Sequence, residues 1–252
     1  MPRAELARYL DGPMESVKGW CSPYLWQAIE PLADAMTGDA APVAEIGVHH
    51  GKIFIGLART MPSACKHYAF DVFEDQDRNL DKSGAGNLEI FERNLADNGI
   101  VRGAVEIVKM DSMTIGVAEI EKVRAASGGF SFFSVDGGHM VEHTINDVRI
   151  AMALTQPGGI VFVDDYANQN WPGVQEGVAK LYLLDAPRFV PLVFIEGKLL
   201  LCHIGFHAKY LKLLAVHFKA HHPDTRVKAV KRFGYDSLTA MPSHKTGKFL
   251  AG

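Results

Sequence analysis

Seven short apolar runs recur along the chain, with segments of helical pattern between them, and this alternation constrains the fold most. The runs are residues 43–47, 67–73, 104–109, 130–136, 159–164, 189–195 and 198–204. Several of them, such as Phe130–Val135, lack polar alternation. That pattern is typical of strands buried on both faces of a parallel sheet. Because strands that alternate with helices form βαβ units, we expect an α/β fold with a doubly wound sheet of seven strands.

The last two runs are separated only by Glu196-Gly197. A two-residue connection is too short for a crossover between parallel strands and predicts a hairpin. We therefore expect a mostly parallel sheet with a C-terminal antiparallel pair.

Length and composition favour one domain with short additions. The chain has 252 residues, 48% of them apolar, enough for one large core. The net charge of −3 gives no general attraction to nucleic acid or membrane. Three cysteines lack a pairable spacing, and the first residues lack the apolar stretch of a signal peptide. We expect a cytoplasmic protein without nucleic-acid or membrane partners, and a homo-oligomer stays open.

The ends of the chain differ from its middle. We expect an N-terminal helical segment at 1–40, the main domain at 41–205, and a basic helix and tail at 206–252. Between His207 and Gly252 there are nine Lys or Arg against two Asp. Apolar residues at helical spacing predict an amphipathic helix, followed by a mobile tail: Phe206, Tyr210, Leu214 and Phe218. A substrate-capping or oligomer-forming element is the alternative.

Acidic residues and a histidine follow two of the predicted strands. Asp136-Gly-Gly-His139 closes one run, and Asp164-Asp165 closes another. In parallel α/β sheets, ligands bind beyond the carboxyl ends of the strands. Carboxylates crowded together there need a cation or a proton to compensate their charge. This arrangement predicts an active site.

A glycine turn and further acids follow the first three strands. Gly47 permits a tight turn, and Gly51 lets a ligand approach the free N–H groups of the next helix. Asp71 ends the second strand about 20 residues past the glycines, where a ribose diol is held in nucleotide sites. Asp111 and Ser112 follow the third strand, within reach of an adenine edge. Helix capping is the alternative for each acid.

At these positions the sequence resembles the class I S-adenosylmethionine-dependent methyltransferases, over roughly residues 40 to 205. In that family an acid followed by Gly-x-x-x-Gly binds the methionine end of the cofactor, which implies this role for Glu45, Gly47 and Gly51. An acid such as Asp71 holds the ribose. His49 departs from the pattern, since many members have a glycine there. The resemblance implies a Rossmann-like sheet and S-adenosylmethionine as cofactor.

Within that class, residues 135–147 and 157–166 look like the metal-dependent O-methyltransferases. The likeness is greatest to enzymes that methylate sugar hydroxyls of natural products, and catechol-type enzymes are more distant. The family places Mg²⁺ on an acid after the fourth strand and a pair after the fifth, which implies Asp136, Asp164 and Asp165 here. Oxygen ligands suit Mg²⁺, and a divalent cation orients a hydroxyl and lowers its pKa.

The same resemblance gives His139 the position of the general base and assigns Asp136 to the cofactor site as well. It implies methyl transfer to a hydroxyl of a small molecule, such as a sugar or natural-product glycoside. Polar residues after the acid pair contact substrate, complete the coordination or form an ordinary loop: Tyr166, Asn168 and Asn170.

Two other functions compete with this interpretation. His139-Met-Val-Glu142-His143 fits the His-x-x-Glu-His pattern of inverted zinc proteases, in which both histidines bind zinc and the glutamate activates water. The neighbouring Gly137, Gly138 and Asp136 favour methyl transfer instead. The second alternative is a non-catalytic methyltransferase fold that binds a nucleoside, against which the intact acid pair and Asp-Gly-Gly-His argue.

Overall fold

A computed structural model describes residues 2–36 and 41–243 of the chain. Nine strands are found in these residues: β1 Val43–Ile46, β2 His67–Asp71, β3 Val105–Lys109, β4 Phe130–Val135, β5 Thr155–Val163, β6 Phe189–Ile195, β7 Lys198–His203, β8 Arg226–Arg232 and β9 Tyr235–Met241. The helices are α1 Pro2–Leu10, α2 Pro13–Ser16, α3 Trp26–Ala35, α4 Lys52–Thr60, α5 Leu88–Asp97, α6 Val117–Ser127, α7 Val141–Leu154, α8 Pro172–Asp185 and α9 Ile204–His221.

All nine strands form one sheet in the order β3-β2-β1-β4-β5-β7-β6-β9-β8. Strands β1 to β5 are mutually parallel where they pair, and β7 runs antiparallel to both β5 and β6. The predicted α/β sheet with its antiparallel pair is therefore confirmed. Glu196 and Gly197 both have positive φ, 49° and 80°, as a two-residue hairpin turn requires.

The prediction of seven strands is wrong, because β8 and β9 add a second hairpin where a tail was expected. Strand β9 pairs parallel with β6, and β8 forms the outer edge. Four of the seven β8 residues are Lys or Arg, a composition that protects an exposed edge from pairing with other chains but hides the strand in the sequence. The rest of the predicted tail, residues 244–252, lies outside the described residues.

Alternate residues of each central strand point to opposite faces of the sheet, and each face is covered by a layer of helices. Phe132 and Phe162 belong to the core shared with α3, α4, α5 and α9, whereas Phe133 and Val161 belong to the core shared with α7 and α8. On the first face, a Cβ on Gly56 of α4 would come within 2.2 Å of the Trp26 ring, so α3 packs directly on α4. Among the described residues, no helix is both long and apolar enough to cross a membrane.

The register of the sheet brings the predicted site residues together. Ile46 pairs with Val135, and Val135 pairs with Val163. The residues after β1, β4 and β5 therefore meet at one edge. Because β7 is antiparallel to β5, its first residue lies at the same edge as the residues that follow β5.

Candidate active site

A cavity of about 520 Å³ opens at this edge of the sheet. Its walls include His139 and every residue predicted for a cofactor and a metal except Gly51: Glu45, Gly47, Asp71, Asp111, Ser112, Asp136, Asp164 and Asp165. The volume lies within the range typical of small-molecule sites. Exposed apolar side chains also line the cavity, among them Trp20 and Leu80, which are 68% and 62% exposed.

The glycine turn after β1 is shaped by close backbone contact. Gly47 has a φ of 83°, and a Cβ there would lie 1.8 Å from the carbonyl oxygen of Asp136. Gly51 has a φ of 91° and directly precedes α4, and a Cβ there would lie 2.8 Å from the Phe91 ring. His49, between them, also has a positive φ of 50°, which is the conformation that favours glycine.

The two acids on β1 and β2 are held differently. Asp71 accepts hydrogen bonds from the backbone N–H groups of His49 and Phe73, at 2.8 and 2.6 Å. Glu45 is 2% exposed, and its Oε2 has no hydrogen-bond partner among the described residues. Burial raises the pKa of Glu45 to about 8, although the neighbouring Ser134 side chain opposes the shift. A buried polar atom without a partner is costly, so Glu45 is suited to receive a donor from a ligand.

Asp111 and Ser112 lie at the cavity wall, and both also have structural contacts. The Asp111 carboxylate accepts from the backbone N–H of Met113 at 2.9 Å and so caps the following turn. The Ser112 carbonyl accepts from the side chain of Asn146 at 3.0 Å. The capping alternative therefore describes part of what Asp111 does.

Asp136, His139 and Asp165 converge on one point. Each offers a donor atom, and the three atoms lie within 4.8 Å of one another. The Nε2 atom of His139 is 3.1 Å from Asp165 Oδ2 and 3.9 Å from Asp136 Oδ1. Burial and the charge of Asp164 raise the pKa of Asp136 well above its ordinary value. Negative charge on Asp136 is therefore costly unless a cation compensates it.

Asp164 lies beside this group but faces another partner. Its Oδ2 forms an ion pair with the buried Nζ of Lys198, and its Oδ1 accepts from the backbone N–H of Asp165 at 2.7 Å. Asp165 has a φ of 52°, which turns its side chain toward His139 instead. Asn168 donates to Asp165 Oδ1 at 2.8 Å and helps to hold it.

The His139 side chain is fixed on several sides. Its Nδ1 lies 2.8 Å from Asp81 Oδ2, and its ring stacks on Trp171 with centroids 4.4 Å apart and planes at 18°. Burial opposes protonation, but the neighbouring carboxylates of Asp165 and Asp81 outweigh it and raise the pKa of His139. Sequence reasoning missed Asp81, Trp171 and Lys198, since none belongs to a recognisable motif.

The remaining predicted residues lie outside the group formed by Asp136, His139 and Asp165. Glu142 is exposed on α7, and neither it nor His143 belongs to the group of possible metal donors in the described chain. Tyr166 is 8% exposed and packs on Phe194. The His-x-x-Glu-His pattern therefore does not form a donor cluster here.

Residues 44–166 match the protein family described as a methyltransferase domain. No curated protein matches the chain. Among solved structures, the O-methyltransferase NovP has a TM-score of 0.55 at 16% identity, over 69% of this chain and 77% of NovP. An O-methyltransferase from Bacillus cereus in complex with SAH has a TM-score of 0.50 at 18% identity, over 79% of this chain and 90% of its own.

The MycE methyltransferase from the mycinamycin biosynthetic pathway, solved with Mg and SAH, has a TM-score of 0.51 at 17% identity. The match covers 81% of this chain and 55% of MycE. At such identities the likeness concerns the fold. Together with the family match over residues 44–166, it confirms the resemblance to S-adenosylmethionine-dependent O-methyltransferases that the sequence predicts.

Proposed function

We propose that the chain is a metal-dependent O-methyltransferase that transfers a methyl group from S-adenosylmethionine to a hydroxyl of a small molecule, such as a sugar or natural-product glycoside. The observation that carries the proposal is the convergence of Asp136, Asp165 and His139 at the cavity that the glycine turn borders. MycE, whose fold is similar, was solved with Mg and SAH. A cytoplasmic location is part of the proposal, in keeping with three free cysteines.

The donor atoms present fit a divalent cation. Two carboxylates face the same point, and the raised pKa of Asp136 marks negative charge that a cation would compensate. Oxygen donors of this kind suit Mg²⁺. When bound, the ion would orient the acceptor hydroxyl and lower its pKa. Asp164 was predicted as a further ligand, but its Oδ2 forms an ion pair with Lys198.

The cofactor would occupy the β1–β3 side of the cavity. The glycine turn from Gly47 to Gly51 would carry the methionine part of the cofactor before α4, and Glu45 offers an unpartnered carboxyl oxygen for its amino group. Asp71 would accept from the ribose hydroxyls. Asp111 and Ser112 would border the adenine, and Asp136 would border the cofactor as well as the metal. S-adenosylmethionine supplies the methyl group on a positively charged sulfur.

His139 would take the proton of the acceptor hydroxyl at Nε2. A neutral imidazole that donates through Nδ1 to Asp81 leaves Nε2 as the acceptor. Stacking on Trp171 holds the plane of the ring, and the raised pKa makes Nε2 a stronger base. A positioned base of this kind contributes roughly 10²–10⁴-fold to a rate.

Mass spectrometry of candidate acceptors, incubated with cofactor carrying a deuterated methyl group, tests this function. We expect a sugar-bearing natural product to gain one labelled methyl on oxygen. Calorimetric titration with SAH serves as the matching control for cofactor binding. Binding of SAH without transfer to any acceptor would favour the non-catalytic alternative, and failure to bind SAH would contradict the proposal.

A further inference from the structure

A lysine lies within the acidic edge of the cavity. Lys198 is the first residue of β7, and its side chain is only 3% exposed. Strand β7 pairs antiparallel with β5, with Leu199 opposite Val163. Lys198 therefore reaches the position at which β5 ends, and its Nζ forms an ion pair with Asp164 Oδ2.

The Nζ atom of Lys198 is buried and forms an ion pair with Asp164 Oδ2, a contact that favours the charged ammonium. A charged ammonium that loses its only close carboxylate inside a protein is strongly destabilising. Lys198 and Asp164 thus hold each other in place.

Both oxygens of Asp164 are already engaged. One contacts Lys198, and the other accepts from the backbone N–H of Asp165. In contrast, Asp136 Oδ1 and Asp165 Oδ2 face the Nε2 atom of His139, and the possible metal donors include these two acids but not Asp164. These adjacent aspartates therefore face different groups: Asp164 faces Lys198, and Asp165 faces His139.

We propose that Lys198 is a resident cation of the metal centre, which neutralises Asp164 and withholds it from the divalent ion, so that Asp136 and Asp165 are the carboxylate ligands. The inference rests on one part of the proposed function, namely that a divalent ion binds at this site. Lys198 acts through Asp164 and is a positioning residue. It reduces the net negative charge of the metal site and does not contact the acceptor.

The decisive variant is Asp164→Asn/Lys198→Met, which replaces the ion pair by a neutral pair of similar volume and keeps the net charge. Binding of Mn²⁺ to the full chain is measured by calorimetry and by electron paramagnetic resonance. We expect the dissociation constant to rise by less than about 100-fold, because Asp164 contacts the ligand Asp165 without being a ligand itself. If Asp164 is a ligand, affinity falls at least about 100-fold, which overturns the proposal.

Single variants give a matched comparison. Asp164→Asn and Asp165→Asn each remove one negative charge from neighbouring positions, and the Asp164→Asn/Lys198→Met variant shows how much of the loss in Asp164→Asn comes from the unpaired Lys198. We expect Asp165→Asn to bind Mn²⁺ more weakly than Asp164→Asn by at least about tenfold. Equal losses would overturn the proposal. SAH affinity reports that each variant is folded.

The two levels of proposal fail in different ways. If the wild type binds neither Mn²⁺ nor Mg²⁺, the metal dependence of the proposed function fails, and the role of Lys198 fails with it. If the wild type binds the ion but the double variant does not, only the role given to Lys198 is wrong.

Discussion

The carboxylate of Asp81 contacts His139 twice: Oδ2 accepts from the backbone N–H at 2.8 Å and lies 2.8 Å from the ring Nδ1. Ser83 adds a contact of 3.1 Å to the same nitrogen. The loop between β2 and α5 therefore determines where the His139 ring lies and which of its nitrogens faces the cavity.

Asp81→Asn tests this relationship. The amide can turn either its oxygen or its NH₂ group toward Nδ1, so the orientation of the ring and its tautomer are no longer fixed. We expect kcat to fall roughly 10-fold or more, with little change in KM for the cofactor. Steady-state kinetics measure both. Asp77→Asn, on an exposed residue of the same loop, is the control, and equal effects of the two variants would contradict the role of Asp81.

His139→Ala tests the base assignment. If His139 takes the hydroxyl proton, the chemical rate should fall about 10²-fold or more, while SAH and Mn²⁺ affinities change little. Single-turnover measurements report the rate, and calorimetry reports the affinities. Loss of Mn²⁺ binding in this variant would make His139 a metal ligand instead.

The pH dependence of the wild-type rate follows from the same residue. Because the pKa of His139 is raised above its ordinary 6.5, the ring becomes protonated at a higher pH than a free histidine and then cannot accept a proton. We expect the single-turnover rate to fall as pH drops through this raised pKa, and the fall to vanish in His139→Ala. An unchanged acid limb in the variant would assign it to another group.

Removal of divalent ions should abolish turnover. Asp136 and Asp165 would then repel each other at the acceptor site, and the hydroxyl would lose the cation that lowers its pKa. We expect activity to disappear with excess chelator and to return with added Mg²⁺, while SAH binding persists. Full activity in chelator would exclude a metal role.

Glu45→Gln should change how the stability of the ligand-free protein depends on pH. The pKa of Glu45 rises from 4.5 to about 8 on folding because of burial. Because the folded state favours the protonated Glu45, this group contributes its full stability below pH 4.5. That contribution is lost as the pH rises through about 8. The free energy of unfolding of the wild type should therefore fall relative to the variant by at most about 1.4 kcal/mol per pH unit in this window. Urea denaturation measures it. Glu121→Gln, at an exposed position, should show no such trend, and a flat difference for Glu45→Gln would contradict the burial effect.

The parallel core and the acidic edge were predictable because their signals are local. Apolar runs such as 130–135 mark strands, and parallel strands necessarily bring residues such as Asp136 and Asp165 to the same edge. The two-residue turn at 196–197 was equally plain. By contrast, β8 was hidden because its sequence is dominated by Lys and Arg.

The partners within the site were not predictable in the same way. Asp81 contacts His139 across 58 positions of the chain, and Lys198 reaches Asp164 across 34. Periodicity shows which elements form, but not which loop folds over which strand end. Nor does the sequence distinguish Asp164 from Asp165, since their different directions depend on the positive φ of Asp165.

Gly47→Ala should destabilise the protein more than Gly234→Ala, which also replaces a glycine of positive φ but at an open turn. Gly47 has a φ of 83° and Gly234 a φ of 85°, but a Cβ at Gly47 would lie 1.8 Å from the Asp136 carbonyl oxygen, whereas nothing lies within 4 Å at Gly234. The left-handed conformation alone costs an L-residue about 1–2 kcal/mol, which is the expected loss for Gly234→Ala. At Gly47 the backbone of two strand ends must also separate, so we expect a loss of about 3 kcal/mol or more together with weaker SAH binding. Urea denaturation gives both free energies of unfolding. Equal losses in the two variants would show that the close approach of Gly47 to Asp136 is not what requires glycine there.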